Sequence, residues 1–208
     1  MPTEPQNAVV HIVDDDEGLC RAVSSLVRSV GFVTRTYGSA QEFLDARADE
    51  KAGCLILDVR LPGISGLDFQ ERLAALGIRL PVILMTGHGD IPMSIRAMKA
   101  GAVDFLPKPF RDQDMLDAVA AAIERDDKRR EADGDAAQVR DCFATLSPRE
   151  KQVMMLVTTG KMNKQVAGDL GLSEITVKIH RGAAMRKMGA RTLADLVRMA
   201  DSLGSKSA

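Results

Sequence analysis

Three short apolar runs, VVHIV at 9–13, CLIL at 54–57 and PVILM at 81–85, punctuate the first half of the chain, with segments of helical period between them. Runs this short and this continuous suit strands buried on both faces, the condition of a parallel sheet. Ala22, Val23, Leu26, Val27 and Val30 fall on one helical face, as do Leu116, Val119 and Ile123, so helices are available to cover the strands. The repeat is a βαβ series, and five βα units fit before residue 125. Gly31, Gly53, Gly77 and Gly101 stand at or near expected helix ends, where a left-handed residue stops a helix.

In open α/β sheets the chemistry gathers at the carboxyl ends of the strands. Strand one runs into Asp14, Asp15 and Asp16, strand three into Asp58, strand four into Thr86, and strand five, near Phe105, into Lys108 and Pro109. Any one of these residues alone reads as a helix cap or a solvated turn. Together, several carboxylates on one rim call for a hard cation, and oxygen-only ligands suit Mg²⁺. A carboxylate beside such an ion can attack a phosphoryl group, which makes Asp58 the candidate nucleophile.

The segments VVHIVDDDEG, LILDVRLPGISG, ILMTGHGD and FLPKPF resemble the response-regulator receiver family over residues ~8–125. The resemblance implies a doubly wound, five-stranded parallel sheet of flavodoxin-like α/β fold. It makes Asp58 the phosphorylated residue and places Asp14, Asp15, Asp58 and the backbone carbonyl of Arg60 around Mg²⁺. Thr86 becomes the hydroxyl drawn toward the phosphoryl group, Lys108 its ammonium partner, Phe105 the aromatic switch residue, and Lys108-Pro109 a cis peptide. Asp16 reads as a helix N-cap or as a further pocket acid. His88 reads as a switch-loop residue against a catalytic alternative, and Met93, Ile95 and Met98 as packing or as a partner-binding stripe. Residues 88–105 resemble the FixJ-type subgroup, implying a homodimer through residues 91–105 on phosphorylation.

From 112 to about 131 no proline interrupts a segment rich in helix formers, so the fifth helix is expected to overrun its domain. Past Ile123 the stripe gives way to RDDKRREADGD, a solvated helix or a loose tether, with a break expected at Gly134 and a short lead-in helix carrying Val139, Cys142, Phe143 and Leu146.

Ser147-Pro148-Arg149-Glu150 is a capping box with proline at the first helical position. Asn163 is expected to cap a second helix, and after Gly171 Ser173 opens a third toward Met188. Two short helices joined by a glycine-containing turn make a helix-turn-helix. On the third helix Val177, Arg181, Ala184 and Met188 face a core, with Arg181 reaching outward along its stem. The opposite face carries Ile175, Lys178, Ile179, Gly182 and Arg186, which suit a major groove. Residues LSPREKQVMMLVTTGKMNKQVAGDLGLSEITVKIHRGAAMRKMGARTLADLV resemble the all-α LuxR-type (NarL/FixJ) DNA-binding domain. The resemblance and the face together nominate Lys164, Thr176, Lys178, Ile179, Arg181, Gly182, Arg186, Lys187 and Arg191 as DNA contacts. His180 reads as packed or phosphate-contacting rather than metal-binding. The organisation expected is a receiver at 1–125, a helical or flexible linker at 126–142 and a LuxR-type domain at 143–208.

Charge supports the division. Residues 1–143 hold 17 Lys and Arg against 24 Asp and Glu, whereas 144–208 hold 11 against 5, so an acidic domain is joined to a basic one. Cys20, Cys54 and Cys142 have no metal-ligand spacing and suit a reducing compartment. With no long apolar stretch, the expectation is a cytoplasmic, phosphorylation-dependent transcriptional regulator rather than an enzyme on exogenous substrates. Its expected partners are a sensor histidine kinase, promoter DNA and RNA polymerase. A phosphate-relay adaptor is countered by the basic recognition face, and a metal-dependent phosphohydrolase by the lack of a substrate-pocket motif.

Overall fold

The computed structural model describes residues 8–46, 52–87 and 91–204. The chain divides into two compact units between Arg130 and Glu131. The first runs β1 (Val9–Val13), α1 (Glu17–Ser29), β2 (Val33–Tyr37), α2 (Ala40–Ala46), β3 (Gly53–Asp58), α3 (Gly66–Ala75), β4 (Val82–Thr86), α4 (Ile91–Lys99), β5 (Asp104–Pro107) and into α5 (Asp112–Ala144). All strand pairs are parallel, in the order β2-β1-β3-β4-β5. The order reverses beside β1 and β3, the switch point at whose carboxyl ends open α/β sheets bind their ligands.

Alternation along the strands divides the core between two faces. Val10, Ile12, Cys54, Ile56, Ile83 and Met85 pack with residues of α1 and α5. Val13, Leu55, Leu57 and Leu84 pack on the other side with Phe43, Phe69, Leu73 and Ala97 of α2, α3 and α4. Helices therefore cover both faces, and the sheet is doubly wound. The edge strand β2 reads VTRTY and buries only Tyr37, which is why no apolar run announces it.

Several local expectations are corrected. α1 buries Cys20, Val23 and Val27, while Ala22 and Val30 are exposed. Gly31, Gly77 and Gly101 take positive φ, but Gly53 begins β3 instead. A Cβ on Gly53 would stand 2.0 Å from the Val9 carbonyl oxygen, so close strand approach explains this glycine. α5 continues unbroken through Gly134, and residues 139–143 belong to it rather than to a separate lead-in helix. Just beyond Ile123, at Asp126, its packing turns polar. Asp126 is wholly buried, accepts the Gly53 N–H at 3.0 Å and pairs with Arg129 and Arg130. A buried carboxylate is tolerable with those charge-assisted bonds.

The second unit packs the end of α5 with α6 (Pro148–Thr158), α7 (Asn163–Leu170), α8 (Glu174–Met188) and α9 (Leu193–Gly204). Val153, Met154, Val157, Val166, Val177, Ala184, Met188 and Leu196 form its core, with Val139, Cys142 and Phe143 against it. The capping box of Ser147 and Glu150 forms. The N-cap of α7 is Met162, not Asn163, and its N–H donates to Gln165 Oε1. Gly171 turns left-handed between α7 and α8, and Ser173 Oγ caps α8 by accepting the Thr176 N–H.

Candidate phosphoacceptor pocket and nucleic-acid interface

The pocket sits at the switch point of the sheet. β1 delivers Asp14 and Asp15, β3 ends at Asp58, and β5 passes into Lys108. Lys108 Nζ lies 2.7 Å from Asp14 Oδ2 and 2.9 Å from Asp58 Oδ1. The backbone N–H of Arg60 donates to Asp58 Oδ2, and the Asp16 N–H to Asp14 Oδ1. Asp14 and Asp58 are buried and Asp15 is exposed, and one carboxylate oxygen from each falls within 4.8 Å of the others. Among the described residues this is the only grouping of three potential metal ligands. Burial pushes the Asp58 carboxyl above its ordinary range despite the opposing Lys108 and the Arg60 N–H. Burial also works against the Lys108 ammonium, yet its bonds to Asp14 and Asp58 prevail and raise its pKa.

Thr86 closes β4 and is buried, and its carbonyl accepts the Lys108 N–H at 2.6 Å. Lys108-Pro109 is cis. Asp16 is the N-cap of α1, its Oδ1 accepting the Gly18 and Leu19 N–H groups. Phe105 is half-buried against the α2–α4 side of the core, and so is Met93. Ile91, Ile95 and Met98 remain 75%, 49% and 49% exposed, so the methionine and isoleucine stripe divides between packing and surface. His88 lies outside the described residues.

In the second unit α8 turns Ile175, Lys178, Ile179 and Arg186 to solvent, the two isoleucines at 73% and 63% exposure. From residue 175 to 188 the sequence has no acid and four cations. Lys164, Lys178 and Arg186 form no ion pair among the described residues.

Residues 10–120 match the family described as response regulator receiver domain, and residues 144–200 match the LuxR family of bacterial regulatory proteins. The chain belongs to the response regulators with a LuxR-type DNA-binding domain. Nodulation protein W of Bradyrhizobium diazoefficiens is 60% identical to this response regulator over 95% of this chain and 87% of its own length. The transcriptional regulatory protein FixJ of Azorhizobium caulinodans is 42% identical over 94% and 93%. The solved structure of response regulator StyR superposes with a TM-score of 0.81, at 45% identity, covering 94% of this chain and 98% of that one. These relatives are two-component response regulators, and phosphorylation by a kinase partner is typical of the family.

Three residues nominated for DNA are engaged within the response regulator itself. Lys187 Nζ bonds Glu150 Oε2 at 2.7 Å, so a phosphate contact would strip an ammonium from a nearly buried carboxylate. Arg181 Nη1 donates to Asn163 Oδ1 at 3.2 Å and joins α8 to the start of α7. Thr176 Oγ1 lies 2.8 Å from Ser173 Oγ in the α8 cap. Arg191 is exposed, with its N–H on Asp195.

Gly66, within LPGISG, carries no local signal of its role. A Cβ there would lie 2.2 Å from the Asp58 carbonyl oxygen, so the glycine lets α3 close on the pocket's backbone. Cys20 and Cys54 are buried thiols pushed up in pKa by burial, and Cys142 is half-buried; all are free.

Proposed function

We propose that Asp58 accepts a phosphoryl group from a sensor histidine kinase in a transfer catalysed by this chain's own pocket, and that the modified protein regulates promoters through α8. The carrying observation is the buried Asp58 carboxylate, 2.9 Å from Lys108, at the centre of a three-carboxylate cluster. An Asp58 oxygen attacks phosphorus, the P–O bond forming as the P–N bond of a kinase phosphohistidine breaks and the imidazole leaves. Lys108, already bridging Asp14 and Asp58, then pairs with the phosphoryl oxygens, and the Thr86 hydroxyl donates to them. Water reverses the modification, so this is self-modification and hydrolysis, not turnover of an outside substrate.

Three carboxylates against one ammonium leave uncompensated negative charge, and their hard oxygens fit Mg²⁺. Asp14, Asp15, Asp58 and the Arg60 backbone carbonyl would hold it. The ion would supply positive charge to the phosphoryl oxygens during transfer.

The exposed Ile91, Ile95 and Met98 support a homodimer through residues 91–105 formed on phosphorylation, with Phe105 moving as Thr86 is drawn to Asp58. Arg96 bonds Asp68 and Glu71 of α3, which keeps these apolar side chains on the outer face of α4. A dimer would present paired recognition helices to promoter DNA and bring them to RNA polymerase. The receiver is assigned to 1–125, the linker to 126–142 and the DNA-binding domain to 143–208. No described helix is long and apolar enough to cross a membrane, and the cytoplasm is the compartment proposed.

Footprinting on genomic fragments with and without acetyl phosphate tests the reading. Protection should strengthen with acetyl phosphate in the native protein and remain unchanged in Asp58→Asn. Full phosphate incorporation by Asp58→Asn would remove the assignment.

A further inference from the structure

Ile175 and Ile179 are the two most exposed apolar side chains of α8, at 73% and 63%, and stand one helical turn apart on the same face. An isolated exposed isoleucine needs no explanation. A pair flanked by Lys178 and Arg186, with Glu174 at the helix start the one acid of α8 against four cations, is less ordinary, because that charge suits the apolar ridge to a polyanionic neighbour.

Gly182 provides a second observation. It lies within α8 on the same side, its φ is not positive, and a Cβ there would meet only Arg186 Nη1 at an ordinary 3.6 Å. The fold therefore has room for a larger residue, although an interior glycine costs a helix about 1 kcal/mol relative to alanine. Gly134 in α5 is equally unconstrained. What distinguishes Gly182 is its position beside Ile179 and Arg186, where an absent side chain lets a partner reach the helix backbone.

We propose that Ile175 and Ile179 form a paired thymine-methyl reader in the major groove, admitted to close contact by Gly182. The proposal rests on the DNA-binding reading and deepens it by naming the base chemistry recognised. Major-groove donors and acceptors are read by polar side chains, whereas the thymine 5-methyl is the apolar feature that isoleucine can cover. Four residues of helix advance about 6 Å along the axis. Base pairs are spaced about 3.4 Å apart, so the ridge spans roughly two steps when α8 lies along the groove. Each half-site should then contain two thymines whose methyl groups matter, with Lys178 between them donating to a guanine acceptor or a phosphate.

The test uses the full chain, treated with acetyl phosphate, to select duplexes from a random library. Each thymine of the selected duplex is then replaced singly by deoxyuridine, which deletes only the methyl. Affinity should fall about fourfold at two positions per half-site, the equivalent of ~0.8 kcal/mol for one buried carbon at 1.4 kcal/mol per tenfold. Ile175→Ala should abolish the thymine-to-uracil difference at one position and Ile179→Ala at the other, with unchanged melting temperatures because both side chains are exposed. Uniform indifference to deoxyuridine, with sequence preference retained, would overturn the paired reader while leaving DNA binding intact. Weakened self-association of the isoleucine variants without DNA, with no methyl effect, would instead assign the ridge to a second copy of the chain. Failure to bind any duplex would remove the DNA-binding reading and this proposal with it.

Discussion

Lys187 Nζ and the Ser147 N–H converge on one oxygen of Glu150, each at 2.7 Å. The carboxylate that completes the α6 capping box thereby also joins α6 to the last turn of α8. Lys187→Ala should therefore lower the melting temperature of the DNA-binding unit more than Lys164→Ala, an exposed lysine without an ion pair among the described residues. The hydrogen bond from Lys187, aided by the Ser147 N–H, holds the Glu150 carboxyl below its ordinary value of 4.5. Its stabilisation is present above that value and is lost as pH falls through the lower folded pKa. An acid titration followed by circular dichroism should show that loss in the native chain and a flatter response in Glu150→Gln.

His11 Nδ1 lies 3.0 Å from Tyr37 Oη beneath the sheet edge, with its ring against Phe43. Burial, assisted by the Arg35 charge, lowers its pKa from 6.5 to about 4. Between those values the unfolded chain binds the additional proton, so the neutral ring's contribution is complete above 6.5 and declines as pH falls toward 4. Urea midpoints of the receiver transition should decrease across that interval. His11→Gln should flatten the slope, and an unchanged slope would assign the dependence to other groups.

Gly66→Ala would place a methyl 2.2 Å from the Asp58 carbonyl oxygen, a contact only backbone movement can relieve. The expected destabilisation is about 1–3 kcal/mol. Phosphorylation by acetyl phosphate should slow as well, because the displaced segment carries Asp58 itself. A variant with native stability and native labelling rate would contradict the close packing of α3 on the pocket.

Lys178→Ala should weaken specific binding by about 1–3 kcal/mol and relax discrimination at one base pair if the ammonium reads a base. Equal losses on all sequences, with a salt slope reduced by about one, would place it on a phosphate instead. Competition titrations at two salt concentrations separate these outcomes.

Ile95→Asp introduces charge at a half-exposed position of α4, so the receiver should fold and accept phosphate normally. If the proposed dimer forms through α4, association on phosphorylation, measured by sedimentation, should be lost in this variant. Native dimerisation by this variant would exclude the α4 face.

The parallel sheet, the acidic rim and the two-domain order were legible in the chain because each depends on local sequence. Unbroken apolar runs announce buried strands, their carboxyl ends locate the chemistry, and Ser147 with Glu150 writes a helix start within four residues. β2 was silent because an edge strand needs little apolar surface. Asp126 resembled a solvated helix charge until β3 brought the Gly53 N–H to it, and Gly134 resembled a break until α5 ran through it. Lys187 and Arg181 looked like free cations in one dimension, but folding supplied Glu150 and Asn163 as their partners. Periodicity and local capping thus determined the elements, whereas tertiary packing decided the partners of Lys187, Arg181 and the Gly53 N–H, because these lie 37, 18 and 73 residues away, separations that no local pattern encodes.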